Sequence, residues 1–104
     1  MALSPIGLID TDQNLPRWTF LTNHAHVLIA IKRNGDLRQR DISQLVGITP
    51  GAVQRILDDL EADGYIRRER IGRRNRYEVV PGTALRHPLE ESHTVDDLLA
   101  AVED

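Results

Sequence analysis

The pair Thr49-Pro50 constrains this chain more than any other two residues. Threonine offers a side-chain oxygen to the free N–H groups at a helix start. Proline suits the first helical position because its φ is already helical and it has no N–H to lose. Behind them Val53, Ile56, Leu57 and Leu60 recur at the i, i+3, i+4, i+7 spacing of one buried stripe. Gly51, Gln54, Arg55 and Asp58 then face outward, and Gly64 follows as the C-cap. A helix with its beginning, buried face and end so defined leaves few arrangements for its neighbours.

Upstream, a helix is expected over Gln39–Val46 with Ile42, Leu45 and Val46 on its inner face, although Arg38 and Arg40 are poor N-caps. Gly47 supplies the left-handed residue that ends it, and Ile48 plugs the corner before Thr49. An earlier helix begins at Thr22 or Asn23 and is ended by Gly35, with Lys32 and Arg33 in its last turn. Leu21, Ala25, Leu28 and Ile29 share one of its faces, with Val27 and Ile31 beside them. Such a helix is apolar over more than half its circumference, which calls for burial on two sides. Before it, the arm 1–21 shows neither helical nor strand periodicity. Leu3, Ile6, Leu8, Ile9, Leu15, Trp18, Phe20 and Leu21 nevertheless make it too apolar for a solvated tail. Trp18 reads as a core or interface plug.

Downstream, Tyr65–Ile71 and Arg76–Val80 read as antiparallel strands joined by a four-residue turn, Gly72 to Asn75, in which Asn75 acts as a turn former. Ile66, Tyr77 and Val79 can pack on the helices. Arg67, Arg68, Arg70, Arg73, Arg74 and Arg76 crowd the hairpin, with Glu69 alone among them. Pro81-Gly82 closes the hairpin and a connecting loop follows. Thr94 then caps a last helix, with Asp97 as its capping-box partner and Val95, Leu98, Leu99 and Val102 as its apolar stripe. So short a helix must dock to persist.

The net charge of −3 hides a segregation of signs. Of 13 Lys and Arg, 11 lie between Lys32 and Arg76, whereas Glu90, Glu91, Asp96, Asp97, Glu103 and Asp104 make the end acidic. With 104 residues, one domain is expected. The absence of cysteine removes disulfides, thiolate metal sites and thiol redox switches. No apolar run approaches the roughly 18 residues of a membrane span, and no basic region precedes an apolar signal core, so a soluble, cytoplasmic protein is expected.

Two helices around a tight turn, followed by an arginine-rich hairpin, make a winged helix-turn-helix: a mainly α, α+β fold. The stretch DISQLVGITPGAVQRILDDLEADGYIRRERIGRRNRY resembles the DNA-binding region of small prokaryotic regulators of the MarR and ArsR type. The likeness is carried by Gly47 at the turn, Thr49 as cap, the Val53–Leu57 stripe, LEADGYI before the first strand and the GRRNRY wing. It extends over about Thr22 to Val80. The resemblance implies a transcription factor, usually a homodimer, whose third helix enters the major groove of double-stranded DNA while the wing meets phosphates or the minor groove. Carried over by position, Thr49, Pro50, Gly51, Gln54 and Arg55 lie on the recognition helix and Arg73, Arg74 and Arg76 on the wing. The expected organisation is an arm at 1–21, a DNA-binding domain at 22–80 and a loop with a C-terminal helix at 81–104. The first and last helices and the N-terminal arm are expected to build the dimer.

Side-chain chemistry agrees with that expectation. Gln54 can form two hydrogen bonds with adenine and Arg55 two with guanine. The bland alternative for Arg55 is an intrahelical salt bridge to Asp58 or Asp59. Asp58, Asp59, Glu61 and Asp63 repel phosphate, so only the first two turns of the helix suit a groove. Arg68, Arg70, Arg73, Arg74 and Arg76 suit phosphate or the minor groove, against the alternative of a merely solvated hairpin. His24 and His26 point in different directions on a helix, and the carboxylates have no nucleophile or base beside them. No metal, cofactor or catalytic site is expected. A protein-binding winged helix and a nucleic-acid binder without sequence choice, architectural or RNA-associated, are the alternative readings.

Overall fold

The computed structural model describes residues 15–103. The first part of the apolar arm, including Leu3, Ile6, Leu8 and Ile9, lies outside them. Thr22 turns the chain into helix α1 (Asn23–Arg33), its Oγ1 accepting the Ala25 N–H at 3.3 Å. Ala25, Val27, Leu28, Ala30 and Ile31 are buried, the broad apolar face expected of this helix. The helix stops at Asn34, whose backbone is extended, and not through a left-handed Gly35. Gly35 has a different task, since its carbonyl accepts the Tyr77 N–H at 3.0 Å and a Cβ there would press into the Tyr77 carbonyl. Glycine therefore lets the chain run directly against the second strand of the wing.

Helix α2 (Gln39–Val46) starts without an oxygen-bearing N-cap. Asp41 compensates by reaching back to accept the Arg38 N–H at 3.2 Å, half of a capping box. Ile42 and Val46 are buried, but Leu45, expected on the inner face, is 66% exposed. Residues one apart on a helix differ by about 100°, which turns Leu45 away from Val46. An eight-residue helix packed along the Ile42–Val46 line leaves Leu45 on its outer shoulder. Gly47 takes a left-handed φ of 88° and ends the helix. Ile48 is half-buried in the corner that follows.

Helix α3 (Pro50–Ala62) begins as expected, with the Thr49 hydroxyl accepting the Ala52 N–H at 3.1 Å and proline in the first turn. Val53, Ile56, Leu57 and Leu60 are its buried stripe. Asp63 is the cap residue and Gly64, at φ 82°, lies just beyond it. The Tyr65 N–H returns to the Leu60 carbonyl at 2.8 Å and the Gly64 N–H to Glu61 at 3.1 Å, the paired bonds of a Schellman ending. That motif aims the chain into strand β1 (Ile66–Ile71), which pairs antiparallel with β2 (Arg74–Val79).

The hairpin is tighter than the expected four-residue turn. Ile71 pairs with Arg74, so only Gly72 and Arg73 form the loop, and Asn75 sits within β2 opposite Arg70. One residue in a left-handed conformation, Gly72 at φ 61°, suits a two-residue hairpin connection, and no conformational role is left for Asn75.

Helix α4 (Val95–Ala101) carries the full capping box, with Thr94 accepting the Asp97 N–H and Asp97 accepting that of Thr94. The connection before it is tied down: Ala84 bridges Thr94, the Val95 N–H reaches the Thr83 carbonyl at 2.9 Å and the Tyr65 hydroxyl donates to the Ala84 carbonyl at 2.7 Å. Val95 and Leu99 thereby join the core formed by α1, α2, α3, Tyr65, Ile66 and Tyr77. The short last helix docks through half of its predicted stripe, Leu98 and Val102 being half-exposed.

Candidate nucleic-acid interface

With Val53, Ile56, Leu57 and Leu60 turned inward, the opposite side of α3 presents Thr49, Pro50, Gly51 and Arg55 to solvent. Gly51 is exposed, and a Cβ there would meet only the Thr49 Oγ1 at 4.0 Å, so no bulky part of the protein crowds its backbone. The unsatisfied N–H groups of the first turn and the positive end of the helix dipole point the same way. Arg55, one turn on, has no hydrogen-bond or ion-pair partner among the described residues. The acids that could have neutralised it are engaged elsewhere, Asp58 with the Gln54 amide at 2.8 Å and Asp59 with His24 at 2.9 Å.

Gln54 is placed differently from the other candidates. It is half-buried, its side-chain oxygen accepts from Gln39 and its nitrogen donates to Asp58. Both ends of the amide are thus occupied, the oxygen in joining α2 to α3 and the nitrogen within α3, and pairing with adenine would require both bonds to be given up. The spacing turned Gln54 away from the buried stripe, and the packing of α2 on α3 then brought Gln39 within reach of it.

Register divides the wing arginines between two faces. Directly opposed residues share a side of the ladder, so Arg68 and Arg70 lie with Asn75 and Tyr77, whereas Arg67, Arg74 and Arg76 lie on the other side with Glu69 and Glu78. Arg68 is paired with Glu61 of α3 at 3.1 Å and Arg67 with Glu78 at 3.0 Å. Arg70 donates from Nε to the Gly72 carbonyl at 3.1 Å and stays exposed. Arg74 donates to the Asp36 carbonyl, and Arg76 approaches the Asp36 carboxylate at 3.7 Å. These bonds hold the wing against the link before α2. Arg73, at the tip, is without a protein partner among the described residues.

A groove of about 300 Å³ runs between wing and helices, lined by Leu37, Arg38, Gln39, Arg73, Arg74 and Asn75 along with Tyr77. Arg38 belongs to this cationic rim but was hidden in the sequence by its position at a helix start, where it reads only as a weak cap. The signal that could have singled it out is the Asp36-Leu37-Arg38 link, whose length holds the start of α2 close to the wing. Arg40, also exposed, adds charge on α2 itself.

Other ionisable groups form no comparable constellation. His24 bonds Asp59 and His26 bonds Asn23 at 3.1 Å, so the two imidazoles serve different neighbours. Among the described residues no three His, Cys, Asp or Glu side chains are grouped as metal ligands, and no helix is long and apolar enough to cross a membrane.

Three helices ending in a helix-turn-helix, with an antiparallel hairpin hydrogen-bonded alongside, define a winged-helix protein. Residues 18–76 match the MarR family, and the chain belongs to it. The family groups transcription regulators that bind DNA. A relative from Methanocaldococcus jannaschii, the uncharacterized protein MJ1254, is 38% identical over 60 residues. The match covers 57% of this chain and 13% of that protein.

Proposed function

We propose that this chain is a sequence-specific regulator that binds double-stranded DNA as a homodimer in the cytoplasm, associated with the nucleoid. The DNA-binding unit is 22–80, and the arm 1–21, the first helix and residues 81–104 with the last helix supply dimer contacts. The first two turns of α3 enter the major groove, with Arg55 reading a base and Thr49, Pro50 and Gly51 against the backbone. Arg68, Arg70, Arg73, Arg74 and Arg76 of the wing meet phosphates or the minor groove. The observation that carries this reading is that Arg55 on the open face of α3 and Arg73 at the wing tip both lack a partner among the described residues, on a protein of net charge −3. An unpaired guanidinium has no internal use, whereas both positions suit an anion.

Selection from a random duplex pool followed by sequencing tests it, with an inverted repeat as the expected product. Arg55→Ala should then relax preference at one base position by about 1–3 kcal/mol. Arg73→Ala should weaken all sequences alike and reduce the salt slope by about one. Retention of duplex without enrichment would instead indicate binding without sequence choice, and no retention even at low salt would point to a protein partner.

A further inference from the structure

Phe20 is 92% exposed and Trp18, edge-to-face with it at 5.0 Å, is 63% exposed. Both are costly to leave in water, and both stand just before α1, on the stretch that leads into its cap Thr22. Phe20 is also on the rim of a cavity of about 330 Å³ that its own ring does not fill. The floor of that cavity is apolar, made by Ala25, Leu28, Leu60, Leu85, Val95 and Leu98. One face of the chain thus displays an aromatic plug beside an empty apolar socket.

We infer that a second copy of this chain covers this face, each Phe20 entering the partner's socket about a two-fold axis, with Trp18 sealing the joint. The inference rests on the homodimer proposed above and names its interface. A plug and a socket on the same face are what an isologous contact requires, because each copy must offer both. The charges around them are self-complementary as well. On the socket rim Asp59 is paired with His24 at 2.9 Å and Asp63 with Arg86 at 3.4 Å, which leaves the Glu90 carboxylate without a partner among the described residues. Arg17, next to Trp18, is exposed and has no partner among the described residues either, so a two-fold contact can bring the arm's cation to Glu90.

The position also keeps the DNA-binding surface free. The socket lies at the C-terminal end of α3, near Leu60 and Asp63, whereas Gly51 and Arg55 occupy the other end. Twelve helical steps from Gly51 to Asp63 span about 18 Å, so helices extending away from an axis at their C-termini set their N-termini up to about 36 Å apart. That is one turn of duplex, the separation of adjacent half-sites in a two-fold complex.

Trp18 is the only tryptophan, so its emission reports the joint directly. The test is sedimentation of the full chain across a concentration series, with tryptophan emission read at each point, for wild type and for Phe20→Ser. Phe20 is so exposed that its replacement leaves the fold intact, which far-ultraviolet circular dichroism checks. The expected result is a wild-type dimer whose emission shifts to the red on dilution. In Phe20→Ser the dissociation constant should rise about 30-fold or more, the loss of a central aromatic anchor. A variant that remains dimeric, or a wild-type dimer whose emission is unchanged by dissociation, places the interface elsewhere and overturns this inference while leaving the homodimer in place. A wild-type chain that is monomeric throughout overturns both.

Discussion

Glycine serves two opposite purposes in this chain, and single substitutions separate them. At Gly35 an added methyl would meet the Tyr77 carbonyl, which the backbone cannot withdraw without breaking the 3.0 Å bond from the Tyr77 N–H. Gly35→Ala is therefore expected to lower stability by about 1–3 kcal/mol, measured by urea unfolding. At Gly51 the space is open and the residue is helical, so Gly51→Ala should raise stability by up to about 1 kcal/mol. The same variant should bind DNA less well if Gly51 lies against the DNA backbone as proposed, because the methyl would stand in that contact. Equal behaviour of the two variants in unfolding would show that the crowding at Gly35 is relieved by movement. The sequence pointed to Gly35 only as a helix stop, since close approach to a strand forty residues away leaves no local mark.

Among the elements, α4 has the clearest dependence on pH. The Thr94 N–H, followed by the neighbouring His93 ring, holds the Asp97 carboxyl below its ordinary value of 3.8. Because the folded state favours the carboxylate, the cap contributes fully above 3.8 and its contribution is lost as the pH falls through the lower folded value. The protection of the Leu98 to Ala101 amides relative to their intrinsic exchange rates should fall at acid pH, and Asp97→Asn should remove that pH dependence. This capping box was legible because its two residues are three apart. The wing was legible as a hairpin, but its register was not. The arginines around Gly72 satisfied a four-residue turn equally well, and the choice of two was settled by the pairing of Ile66 with Val79 at the other end of the ladder.

For the whole molecule, the acidic end is part of the core and not an appendage. Val95 is fully buried and Leu99 nearly so, in the same cluster as Val27, Ile42 and Val53. Losing two such side chains costs about 4–10 kcal/mol. A domain of this size has only about 5–15 kcal/mol in total. Truncation after Thr94 is thus expected to abolish the cooperative thermal transition in scanning calorimetry, and a truncated chain with an unchanged midpoint would refute that role for α4.

What the sequence determined by itself is whatever depends on neighbours within a helical turn or two. The Thr49-Pro50 start of α3, its buried stripe, the left-handed Gly47 and the Thr94 cap follow from steric and hydrogen-bonding rules acting over three to seven residues. The tertiary structure decided which outward residues remain free. Gln54 and Arg55 are adjacent in the chain and looked alike as base readers, yet Gln39 and Asp58 take the first and nothing described takes the second. Leu45 and Phe20 are left in solvent for the same reason, because burial depends on how elements pack and a side chain's own periodicity cannot report what its neighbours have already filled.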